Sequence, residues 1–72
     1  MPSLTLARAE DLEEFVRFLR RVHVHVTRTS GNVVVAAIPG APSPLHEQRE
    51  LAGYVATWNA LHPGRTVTVE DA

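Results

Sequence analysis

The stretch from Val22 to Ile38, VHVHVTRTSGNVVVAAI, decides how this chain folds. Its first half alternates Val22, Val24 and Val26 with His23, His25 and Thr27, and β-branched residues at a period of two predict a half-buried strand. Thr29-Ser30-Gly31-Asn32 is turn chemistry, because Gly and Asn tolerate the positive φ that tight hairpins need. Val33 to Ile38 then returns as the antiparallel partner. It offers apolar side chains to both faces, the pattern of a central strand whose outer face is also covered.

Upstream of this hairpin the period is helical. Leu12, Phe15, Val16 and Leu19 fall at i, i+3, i+4 and i+7, so a helix beginning near Arg8 and breaking near Arg21 carries them on one stripe. Glu10, Asp11, Glu13 and Glu14 crowd its first turns and Arg17, Arg20 and Arg21 close it, which complements the helix dipole at both ends. Glu13 and Arg17 form a favourable i,i+4 pair. Before the helix, Ser3 to Leu6 alternates polar and apolar residues and predicts a short strand with Leu4 and Leu6 on one face.

Downstream, Pro39-Gly40-Ala41-Pro42-Ser43-Pro44 cannot continue a sheet. It leads into a second helix with Ser43 as N-cap and Pro44 at the first helical position, where a missing N–H costs nothing. Leu51, Val55, Trp58 and Leu61 mark the buried stripe of this helix, and His62-Pro63-Gly64 ends it. Arg65 to Glu70 alternates again and predicts a last strand with Val67 and Val69 on one side and Thr66 and Thr68 on the other. The expected core is Leu4, Leu6, Leu12, Phe15, Val16, Leu19, Val22, Val24, Val26, Leu51, Val55, Trp58, Leu61, Val67 and Val69.

The resulting α+β order, βαββαβ over nearly the whole chain, resembles the ferredoxin-like superfold. The resemblance implies a four-stranded antiparallel sheet in the order 4-1-3-2 with two helices on one face. Without the first strand, the fallback is αββαβ with a three-stranded sheet. A chain of 72 residues is one domain, residues 1–72. Such a domain buries only about 60% of the surface its unfolded chain exposes, so extra burial against a partner is expected.

Composition narrows the function. With no cysteine, thiolate chemistry and zinc–thiolate sites are excluded. No apolar run approaches the ~18 residues of a membrane span, and the N-terminus lacks the pattern of a signal peptide, so a cytoplasmic location away from membranes is expected. Seven basic residues, all Arg, against eight acidic ones give a net charge of −1, which argues against non-specific nucleic-acid binding.

The functions that this superfold commonly carries need residues that are missing here. RNA-recognition modules stack bases on central-strand aromatics, where this chain has Leu, Thr, Val, Ala and Ile. Metal chaperones of the fold use a Cys-x-x-Cys pair. Acylphosphatases cradle phosphate in a Gly-rich first loop, whereas Ala7-Arg8-Ala9-Glu10-Asp11 has no glycine and an excess of acid. ACT domains are similar in order and size, but place Gly or Pro in that loop.

Catalytic groupings are equally thin. Ser43 with His46 reads as a helix cap, and Glu13 and Glu14 lie on an exposed helical face with no visible means of desolvation for acid–base work. No enzyme activity and no cofactor are therefore expected. The loop from Pro39 to Pro44 could hold an anion at the helix N-terminus.

On a strand, His23 and His25 project from one face and could bind zinc, copper or nickel, but no third ligand converges on them. The outer face of the hairpin is the stronger candidate. A two- or four-residue loop leaves Val34, Ala36 and Ile38 outside, beside His23, His25 and Thr27; a three-residue loop reverses the parity and exposes Val33, Val35 and Ala37. The expectation is the former, with a small non-catalytic interaction or regulatory module forming a homodimer or meeting a partner protein through that face. Acidification that protonates both histidines would weaken the contact. The alternative is an ACT-like small-molecule or metal-sensing domain. The third choice is a nucleic-acid or partner-binding accessory protein using Arg17, Arg20 and Arg21.

Overall fold

A computed structural model describes residues 2–70. Strand β1 (Ser3–Leu6) leads through a short 3-10 turn at Ala9–Asp11 into helix α1 (Leu12–Arg21). The hairpin β2 (His25–Ser30) and β3 (Val33–Ala37) follows, then helix α2 (Pro44–Leu61) and strand β4 (Val67–Glu70). All neighbouring strands are antiparallel, in the order β2-β3-β1-β4, which is the ferredoxin-like layout.

Directly opposed residues of an antiparallel pair share a face. Leu4 opposes Val34 and Val69, Leu6 opposes Val67, and Val26 opposes Ala36. These residues define the inner face of the sheet. Leu4, Leu6, Val34, Ala36 and Val67 are buried there in one cluster with Phe15 and Leu19 of α1 and Leu51, Val55 and Trp58 of α2, so both helices cover the same face. Trp58 is the hub. It meets Phe15 edge-to-face at 5.1 Å, His62 stacks on it at 3.9 Å, and its indole Nε1 donates to the Arg65 carbonyl at 3.0 Å.

Polar clamps hold the elements in register. The Asn59 side chain accepts from Val67 N–H at 2.9 Å and donates to the Val67 carbonyl at 3.1 Å, tying β4 to α2. Asn32 closes the hairpin onto β1, its amide donating to the Leu6 carbonyl while its own carbonyl accepts from Leu6 N–H, both at 2.8 Å. Arg65 spans Glu14, at 3.1 Å, and the buried Asp11, at 3.7 Å. At the start of α2, Ser43 Oγ accepts from His46 N–H at 3.1 Å and Pro44 occupies the first turn, as the sequence predicts.

The fold departs from the sequence expectation at three places. Helix α1 does not pass directly into a strand at Val22. His23 takes a left-handed conformation, φ 64°, with its N–H bonded to the Arg20 carbonyl at 3.1 Å, while Val24 N–H bonds to the Leu19 carbonyl at 2.9 Å. This is a Schellman cap, and the buried Val24 is its apolar closing residue. The valine alternation is thus shared between a helix end and a strand, and β2 starts only at His25.

The second departure lies inside β2. Ser30 opposes Val33, Thr29 opposes Val34 and Arg28 opposes Val35, but the next pair is Val26 with Ala36. Thr27 is the extra residue of a β-bulge, and its Oγ1 donates to the Val35 carbonyl at 3.0 Å. The third is Leu61, expected in the core and 65% exposed, because it sits in the final turn of α2 on an open groove beside α1 that no described residue fills.

Candidate functional site

The helix-free face of the sheet carries side chains from all four strands. Three rows cross it. The first is His25 with Ala37; the second is Arg28, Val35, Ser3 and Glu70; the third is Ser30, Val33, Thr5 and Thr68. Side chains on β3 and β1, in the middle of the sheet, are half-buried by their neighbours, whereas those on the edge strands β2 and β4 are exposed. The centre is therefore a stripe of Val33, Val35 and Ala37 beside a stripe of the small hydroxyl residues Ser3 and Thr5. A cation, Arg28, stands at one edge and an anion, Glu70, at the other.

This is the opposite parity of β3 from the one expected. Val34 and Ala36 are fully buried against the helices and lie in no open face. Ile38 falls beyond the end of β3 and packs against the core, its N–H bonded to Glu47 Oε2 at 2.9 Å. The hairpin loop itself, Gly31-Asn32, has two residues, one of the two lengths expected to leave Val34 outside. The parity reverses because the bulge at Thr27 lets Val26 point inward while Arg28, two residues on, points outward. Thr27 stays exposed but is spent on its bond to Val35.

The histidine pair separates for a related reason. His25 remains on the open face opposite Ala37, whereas His23 belongs to the α1 cap and shares no strand with it. The two imidazoles therefore do not project from one strand face as the sequence pattern implies. Among the described residues no three His, Asp or Glu side chains come close enough to hold a metal.

Other candidate groups are tied into the fold. Ser43 Oγ is occupied as the α2 cap, and the His46 ring stands 3.5 Å from Glu50 rather than on Ser43. The loop before α2 carries the Glu47 carboxylate at its first turn, which opposes an anion there. In the first loop Arg8 is held by Glu10, whose hydrogen bond and charge raise the guanidinium pKa above its usual value, so this cation is already matched. Arg17 pairs with Glu13 at 2.7 Å. Arg20 lines a shallow groove of about 340 Å³ between α1 and β2, and Arg21 lines another, of about 230 Å³, between α1 and α2. Arg17 lines both grooves and so lies between Arg20 and Arg21 on α1, with its own charge matched by Glu13.

No family model, curated protein or solved structure matches this chain. Sequence reasoning missed Arg28 and Glu70 as site residues, and gave Val33, Val35 and Ala37 only as the second choice. The stretch Thr27-Arg28-Thr29-Ser30 contains no apolar residue whose side would betray the bulge.

Proposed function

We propose that this chain is a small non-catalytic interaction module that self-associates through the helix-free face of its sheet. The observation that carries this reading is the stripe of Val33, Val35 and Ala37 at the centre of an otherwise polar face, with Arg28 and Glu70 at opposite edges. Apolar groups flanked by one positive and one negative edge make a surface complementary to itself, which is what an isologous dimer requires.

The expected affinity is low. Four strands ~4.8 Å apart and three rows of side chains offer on the order of 400 Å² per copy, below the standard size of stable interfaces. The dimer is thus expected to be concentration-dependent, serving as a reversible switch of assembly rather than as a permanent subunit contact.

Sedimentation velocity tests this. The reading expects a monomer–dimer transition somewhere between about 10 µM and about 1 mM. It also expects Val35→Asp to shift the protein to monomer without loss of its folded far-UV spectrum. A monomer across that whole range removes the proposal.

A further inference from the structure

We infer that the two copies are related by a two-fold axis running parallel to the strands, which sets Arg28 of each copy against the partner's Glu70. This rests on the self-association reading and adds the orientation of the partner.

Sheets that pack face to face keep their strands within about 30° of one another, and their side chains interdigitate across a gap of about 10 Å. A two-fold axis relating two such faces lies in the interface, either across the strands or along them. Across the strands, each strand faces its own copy, so Arg28 meets the partner's Arg28 and Glu70 the partner's Glu70. Along the strands, β2 lies over β4 and β3 over β1.

Two features of the face favour the second arrangement. A two-fold rotation carries no translation along its axis, so each row stays at its own height. Arg28, Val35, Ser3 and Glu70 form one row, running from cation to anion. Rotation about an axis between β3 and β1 brings its ends together with opposite charge on both sides of the dimer. Shape agrees with charge: Val35 and Val33 come to lie over the small Ser3 and Thr5 of the other copy, and the valines of the two copies interleave on either side of the axis. The other axis stacks valine head-on over valine and sets like charges together.

Within one copy Arg28 and Glu70 are three strand spacings apart, about 14 Å, which exceeds the Debye length of ~8 Å at physiological ionic strength. Neither takes part in an ion pair among the described residues. Coupling between the two positions therefore has to arise between copies.

A double-mutant cycle on the dimer dissociation constant reads this out. Arg28→Glu and Glu70→Arg should each weaken association about tenfold, and the double variant should return to within about threefold of the unaltered protein. As a second measurement, the protein contains no cysteine, so Arg28→Cys and Glu70→Cys variants can be mixed and treated with a short bis-maleimide. The inferred axis gives mixed 28–70 cross-links in preference to 28–28 or 70–70. If the double variant is as weak as the two single effects multiplied, or if 28–28 links dominate, the orientation is wrong. Loss of the dimer on Val35→Asp would still hold in that case, and the self-association reading would survive. A protein that stays monomeric throughout overturns both.

Discussion

Val34 and Val35 are identical side chains on adjacent residues of one strand, yet they belong to different parts of the molecule. Val34 is fully buried beneath the helices, opposite Leu4 and Thr29. Val35 lies half-buried on the open face between Arg28 and Ser3. Nothing in the strand distinguishes them, since β3 is apolar at every position. Their difference is imposed from outside, by the pairing with β1 and by the bulge in β2. The lesson is that a central strand with apolar residues on both sides leaves its own orientation to its neighbours.

The strongest way to break this comparison is to place one charge at each position. Val34→Asp buries an unpaired carboxylate in the core and should cost more than about 4 kcal/mol, which approaches the whole stability of a small domain. Its cooperative thermal transition should disappear. Val35→Asp should lie within about 1 kcal/mol of the unaltered protein in urea unfolding. Equal losses at both positions would mean that the faces are not separated as described.

A smaller effect comes from the clamp that positions β4. Asn59→Ala removes both bonds to Val67 and should destabilise by about 1–3 kcal/mol, measured in the same urea experiment. Because β4 carries Glu70, the variant should also loosen the charged edge of the open face.

Deleting Thr27 probes the bulge directly. In an unbulged strand, loss of one residue would throw every later side chain onto the wrong face. Here Val26 and Arg28 already oppose the consecutive residues Ala36 and Val35, so the shortened strand pairs regularly and the cost should stay within about 1 kcal/mol. The smallest effect expected is a gain. His23→Gly relieves the left-handed backbone at the α1 cap and should stabilise by about 0.5 kcal/mol, seen as a raised Tm.

These substitutions also mark what was legible in the sequence. Element order, the buried stripe of α1 and the Ser43-Pro44 start of α2 follow from local chemistry, and local chemistry is fully present in the chain. The exits of α1 and the register of the hairpin depend on pairing over distance. Val22, Val24 and Val26 alternate as a strand would, but the Leu19 carbonyl captures Val24 N–H and ends the helix first. Leu61 satisfies the helical spacing from Trp58, yet spacing cannot say where the covering layer stops. The candidate face was legible as a place, the outer side of the hairpin, with His25 correctly on it. Its residues were not, because a single exposed Thr27 reverses the parity without changing the apolar pattern.

Sedimentation velocity on the unaltered protein beside Val35→Asp, over about 10 µM to about 1 mM, tests the central claim most directly. The account predicts a concentration-dependent dimer in the first and a folded monomer in the second. A monomer in both, or a dimer that survives Val35→Asp, would contradict it.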